Sequence, residues 1–244
     1  IASSKGQSTD NHQYEEEAYK EPAFKWNKKA SYSVEFAKEL KSYYNLDSGK
    51  YGRNTSSIDK EKLQFFNGLG GFNEKGSYVI VLDEFKNTPA PWINVISNED
   101  FGFHVSESGS SYTWSRNSRE NKITPWSNDP ITDIPGEALY LRDENTGDVW
   151  SITPKPMRDA GEYIIEHGFG YSMFTHEAYG IEGTEIMFSP VKESLKVCIV
   201  KLRNNSKDKR KLSLTYYAQM VLGVVSQQTS QYVSTYINRE KKYI

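Results

Sequence analysis

Cysteine, methionine and histidine are all scarce in these 244 residues: one, four and four. A single cysteine, Cys198, excludes an intramolecular disulfide framework and any cysteine-built zinc site. Between Val197 and Ile199 it reads as a small buried hydrophobe, and it fits a reducing, cytoplasmic setting. The histidines, His12, His104, His167 and His176, are scattered without ligand spacing, so no metal is assigned. Charge of one sign is lacking too. A formal net charge of −2 provides no general attraction to nucleic acid or an anionic membrane. Long apolar runs are missing: MVLGVV at 220–225 and YVIVL at 78–82 fall far below the roughly 20 residues a membrane span needs. The opening IASSKGQSTD has neither an initiator methionine nor the layout of a signal peptide, so natural sequence is expected upstream.

What is abundant is aromatic. Seventeen tyrosines, eleven phenylalanines and five tryptophans make 14% of the chain, a leaning towards sheets and towards surfaces that hold flat polar ligands. Residues 1–28 are polar and irregular and read as a leader. From 30 to 46, Ser33, Phe36, Ala37, Leu40, Tyr43 and Tyr44 share one helical face, which predicts an amphipathic linker helix ended near Gly49. Beyond residue 57 the period becomes that of strands, expected at 63–66, 77–82, 92–96, 101–105, 111–115, 138–142, 148–152, 162–166, 169–177, 183–188, 195–203 and 211–221. Turns rich in Gly, Asn and Asp separate them, and no helical crossover intervenes, so the fold class is mainly β, an antiparallel sandwich. The domains are then 1–57, leader and linker helix, and 58–244, sandwich. The alternation of Leu212, Leu214, Tyr216 and Ala218 with Ser213, Thr215 and Tyr217 predicts a half-buried strand. The sandwich is expected to lack strands beyond Ile244, where the sequence stops without a turn or polar tail.

Familiar catalytic signatures fail on their spacing. NGLGGF at 67–72 has no Lys-Ser/Thr after it and reads as a turn or bulge rather than a phosphate loop. Residues 143–148, DENTGD, lack the downstream glutamate of a calcium loop and read as a hairpin tip. There is no G-x-S-x-G elbow. The basic cluster at 207–211 reads as solvated edge protection. The unusual segment is 113–130, TWSRNSRENKITPWSNDP, which gathers Trp114, Trp126, Arg116, Arg119, Asn117, Asn121, Asn128 and Asp129. An indole covers the C–H face of a pyranose, while Asn, Asp and Arg supply directional hydrogen bonds to hydroxyls. The same segment reads equally as a structural loop whose tryptophans pack on the sandwich and whose arginines cap carbonyls.

FFNGLGGF at 65–72, TPAPWINVISNEDFGFHVSESGSSYTWSRNSRENKITPW at 88–126, GEALYLRDENTGDVWSITP at 136–154 and HGFGYSMF from His167 resemble the N-terminal domain of glycoside hydrolase family 94 (glycosyltransferase family 36 type). That family holds cellobiose and chitobiose phosphorylases, 1,2-β-oligoglucan phosphorylases and the phosphorylase-like region of cyclic β-1,2-glucan synthases. The resemblance covers about residues 63–223, and NSREN, TPWSNDP and GEALYLRD look closest to the β-1,2-glucan branch. It implies a large β-sandwich, a super-sandwich, followed by an (α/α)6 barrel that is missing from this chain and carries the general acid. Phosphate attacks the anomeric carbon opposite that acid, so the family inverts. No residue here is therefore assigned a catalytic role, and the chain is expected to be inactive alone. No cofactor is implied; inorganic phosphate is co-substrate of the full enzyme. The resemblance further implies a homodimer in the full enzyme and an acceptor-side loop that contacts a β-glucan oligosaccharide. The matching residues are Arg119 and Asn121, then Arg116, Asn117 and Trp126. Two other functions stay open: a stand-alone carbohydrate-binding module, and a purely structural interaction domain.

Overall fold

The computed structural model describes residues 58–239. The leader and the amphipathic helix expected at 30–46 lie outside the described residues. Within them twelve strands form one six-stranded and two three-stranded sheets, with every pairing antiparallel. Strands β1 (Gly70–Phe72) and β2 (Tyr78–Leu82) open the large sheet. The chain then leaves it for a meander of β3 (Ile93–Ser97), β4 (Phe101–Ser106) and β5 (Ser111–Ser115), and for the hairpin of β6 (Glu137–Asp143) and β7 (Val149–Trp150). It returns as β8 (Tyr163–Gly168), β9 (Tyr171–Ala178), β10 (Ile181–Phe188) and β11 (Val197–Asn204), giving the order β1-β2-β8-β9-β10-β11. Finally β12 (Leu212–Ala218) pairs with β6 in the order β12-β6-β7, and β3-β4-β5 complete the third sheet.

A single buried cluster joins all three sheets. Ile80, Leu82, Ile165, Phe174 and Ile181 come from the large sheet, Ile96, Phe103 and Val105 from the meander, and Leu139, Leu141 and Trp150 from the β6–β7 hairpin. Each fully buried side chain of this size contributes about 1.5–3 kcal/mol by removal from water. Strand β2 is apolar throughout because both of its faces are covered. Ile80 and Leu82 enter that cluster, whereas Val79 and Val81 pack with Leu63, Ile58 and Ile164 on the other side. The two small sheets are stitched together by short bridges: Lys122 pairs with Trp114 and with Gly223, and Val221 N–H donates to the Ile123 carbonyl at 2.8 Å.

Three expectations change in detail. The strand predicted at 63–66 is only a bridge between Gln64 and Phe72, because Phe65 adopts a positive φ of 54° and the Asn67 side chain accepts from Leu69 and Gly70 N–H, turning the chain. The end of NGLGGF is itself strand β1. Strand β12 is less covered than its alternation predicts: Leu214, Tyr216 and Tyr217 are each about half exposed. It stands at a sheet edge with β6 as its neighbour, so each side chain has cover on one flank. The 143–148 segment is the β6–β7 hairpin tip, with Asp143 and Asp148 backbone-bonded at 3.0 Å. Arg210 of the basic cluster is ion-paired to the buried Asp143 and donates to the Tyr179 carbonyl at 2.8 Å. No helix among the described residues is long and apolar enough to cross a membrane.

Candidate functional site

The loop singled out in the sequence leaves β5 and is closed at its root by backbone bonds. Ile123 N–H donates to the Thr113 carbonyl at 2.8 Å, and Ser115 N–H to the Asn121 carbonyl at 3.1 Å. Beneath this root lies a buried carboxylate. Glu137, only 4% exposed, accepts from Thr113 Oγ1 at 2.5 Å, Thr124 Oγ1 at 2.6 Å, Lys196 Nζ at 2.5 Å and the Tyr216 hydroxyl at 2.8 Å. Burial alone would raise its pKa, yet the Lys196 ammonium and the two threonine hydroxyls outweigh burial and hold it at about 2. Lys196 also donates to Ser111 Oγ at 2.8 Å and lies 4.6 Å from the centre of the Phe103 ring. Burial works against its charge, but Glu137 prevails and raises its pKa.

The loop tip is organised by Asn117. Its Oδ1 accepts from Arg119 N–H at 2.9 Å and Glu120 N–H at 2.8 Å, and its carbonyl accepts from Asn121 N–H at 3.0 Å. Asn117 thus braces the turn, as Asx residues do. Arg116 takes a positive φ of 59°, and its N–H is held by the Asp100 carbonyl at 2.7 Å. The guanidinium of Arg116 lies 3.8 Å from Asp100 and that of Arg119 3.4 Å from Glu120. Both pairs are exposed, so they contribute little to stability and leave the donors accessible. Asn121 is exposed as well.

Trp126 stands on the other limb. Its indole stacks on Tyr112 with ring centres 5.4 Å apart and planes 7° apart, and meets the edge of His104 at 5.2 Å. Tyr112 also touches Trp114 at 5.1 Å. Trp126 is nevertheless 43% exposed, which leaves aromatic surface free. Burial pushes the His104 pKa down to about 4, so the imidazole beneath the indole is neutral at pH 7. The 126–135 limb is pinned by Asp129, which accepts from Ile131 and Thr132 N–H, and by Asp133, which accepts from Ser106 and Ser108 hydroxyls at 2.7 and 2.5 Å. Its ends meet at Gly136, where an added Cβ would stand 2.7 Å from the Pro125 carbonyl. A cavity of about 290 Å³ opens beside Trp126, between this limb and residues 219–227.

Of the residues marked by sequence, the structure brings Arg116, Asn117, Arg119 and Asn121 together on one turn. It sets Trp126 apart against Tyr112 and His104. Sequence reasoning missed Glu137, Lys196, Lys122 and Gln219. Gln219 reaches the loop because its N–H donates to the Gly136 carbonyl at 2.9 Å, a pairing that no local pattern announces. The remaining described histidines are occupied elsewhere: His167 contacts Ser172 and the Trp92 carbonyl, and His176 contacts Asp159 and the Glu162 carbonyl. Burial pushes the Cys198 thiol up to about 12, which makes it inert as a nucleophile.

The described residues form three antiparallel sheets around one buried cluster and carry an anchored Trp/Arg/Asn loop, and comparison with known proteins supplies the family. The family model "Glycosyl hydrolase 94, supersandwich domain" matches residues 76–244; the chain belongs to that family. It is 42% identical over 187 residues to the cyclic beta-(1,2)-glucan synthase NdvB of Rhizobium meliloti (strain 1021), covering 74% of this chain and 6% of that protein. It is 32% identical over 150 residues to the N,N'-diacetylchitobiose phosphorylase of Vibrio furnissii, and 32% over 144 residues to that of Vibrio proteolyticus. Those matches cover 60% and 58% of this chain and 18% of each phosphorylase.

Proposed function

We propose that this chain is the non-catalytic β-sandwich part of a carbohydrate-active phosphorylase or glucan synthase that acts on β-glucans, β-1,2-linked, by inverting phosphorolysis. In this reading residues 1–57 are leader and linker, residues 58–244 are the sandwich, and a barrel outside this chain supplies the general acid. The sandwich contributes dimer contacts and the acceptor-side loop, with Arg119 and Asn121 as first sugar contacts and Arg116 and Trp126 beside them; Asn117 holds the turn. The single observation that carries the reading is the 42% identity over 187 residues to a cyclic β-(1,2)-glucan synthase, against 32% to the two chitobiose phosphorylases. A lone cysteine fits a cytoplasmic location.

The test is kinetic. In the longer enzyme that this reading calls for, Arg119→Ala and Trp126→Ala should lower kcat/KM for phosphorolysis of β-1,2-glucan by about tenfold or more each, with the fold intact, since each removes a contact made to bound sugar. The isolated chain should show no turnover. Unchanged kinetics in both variants would remove the loop from the acceptor site, and phosphate-dependent cleavage by the purified 244-residue chain would overturn the non-catalytic assignment.

A further inference from the structure

The cavity beside Trp126 does not belong to the turn that carries Arg119 and Asn121. Its walls come from Lys122 at the foot of that turn, from Trp126 and Pro135 of the other limb, and from Gln219, Val225 and Gln227 after β12. One face of the indole is taken by Tyr112, nearly parallel at 7°, and Trp126, still partly exposed, lines the opening. Tyr112 and His104 lock the indole in place, and a rigid aromatic plane binds without ordering costs. Pro125, Pro135 and Val221 add apolar wall, while the side-chain amides of Gln219 and Gln227 make no hydrogen bond among the described residues. Each amide offers two donors and an acceptor.

Size and the chemistry of the lining narrow the occupant. At about 290 Å³ the space sits at the lower end of ligand cavities, which run from about 300 to 1,000 Å³. It is too small for a helix about 10 Å across and suits one six-membered ring with its substituents. The charged group in the lining is Lys122, and its ammonium is engaged by the Val224 carbonyl at 3.1 Å. That carbonyl takes one of its three donors, so the ammonium and the two amides together supply a donor-rich rim suited to hydroxyl oxygens. A neutral ring with one C–H face and a rim of hydroxyls matches an indole opposed by two amides.

We infer that this cavity is a pyranose subsite, in which one neutral glucosyl unit of a β-linked glucan lies on Trp126 and takes hydrogen bonds from Gln219 and Gln227. The inference rests on the reading of the loop as a glucan contact and extends it to residues that the loop does not contain.

The experiment is titration of the ¹⁵N-labelled 244-residue chain with sophorose, the β-1,2-linked glucose disaccharide, followed by NMR. The Trp126 indole N–H and the Gln219 and Gln227 side-chain amides should shift together and saturably. Val225→Trp, which fills the cavity from a partly exposed position, and Gln219→Leu, which removes one amide at the surface, should each weaken binding about tenfold with the β-sheet resonances in place. Gln219→Leu decides the matter if Val225→Trp fails to fold. Shifts confined to Arg119 and Asn121, with both variants binding like the wild type, would overturn the subsite and leave the loop reading standing. Absence of any shift at the highest sophorose concentration would overturn the subsite as well, while the loop reading would still be judged by the kinetics of Arg119→Ala.

Discussion

Glu185 is the residue whose burial is hardest to reconcile with its charge. It lies on β10, 1% exposed, facing the core with Ile181 and Met187, and its Oε2 has no hydrogen-bond partner among the described residues. Burial pushes its pKa up to about 7; Lys196 pulls the other way and loses. An acid with a raised native pKa keeps its proton while the unfolded chain has already lost it, so its contribution is present below about pH 4.5 and disappears as pH rises to about 7. His104 and His167 work in the opposite sense. Burial pushes both down to about 4, so their contribution is present above the unfolded value of about 6.5 and is lost as pH falls through 4. Glu185→Gln should therefore match the wild type near pH 4.5 and exceed it at pH 8 by a few kcal/mol at most, an increase of several degrees in Tm. The acid-side loss from the histidines should persist. Thermal melts across pH 4–8 check this, and parallel curves for the two proteins would show that Glu185 stays ionised in the fold. Gly102 is another residue whose identity is dictated by a neighbour: a Cβ there would stand 2.5 Å from the Trp114 ring and 2.8 Å from Ser97 Cβ.

At the scale of elements, the Glu137–Lys196 pair connects β6, the residue just before β11 and the root of the loop. Ion pairs at such depth are weak sources of net stability, but removing one partner leaves the other charge uncompensated. Lys196→Met should cost about 3–5 kcal/mol in urea unfolding, and adding Glu137→Gln should recover much of it by removing the stranded charge. A cost below about 1 kcal/mol for the single variant would mean that water or relaxation already compensates Glu137. Strand positions were largely legible: β5 at Ser111–Ser115 coincides with its expected span, and β2, β4 and β6 differ by a residue or so at their ends. The misses have separate causes. At 63–66 a side-chain-stabilised turn at Asn67 overrides β propensity. In β12 the apolar alternation is present, but coverage depends on what packs above an edge strand, which alternation does not encode.

For the whole molecule, the uncovered edge has a consequence in solution. Leu214, Tyr216 and Tyr217 of β12 and Met220 and Leu222 beyond it are exposed near one another in sequence, on a strand whose outer backbone edge has no strand partner among the described residues. Exposed apolar edges associate. Light scattering of the 244-residue chain should show mass rising with concentration, and Leu214→Lys should suppress the rise; a strictly monomeric wild type would contradict this. The antiparallel sandwich, the hairpin tips and the family were all readable from residue order, because strand period, turn chemistry and contiguous motifs are local properties. Cavity and charge cluster were not. Trp126 and Gln219 come to line one cavity, and Thr113 and Lys196 come to meet at Glu137, only once β5, β6, β11 and the tail of β12 are folded against one another. Burial, which decides whether a carboxylate such as Glu185 is neutral or a tryptophan such as Trp126 is free, is a property of that assembled packing and of no single stretch of chain.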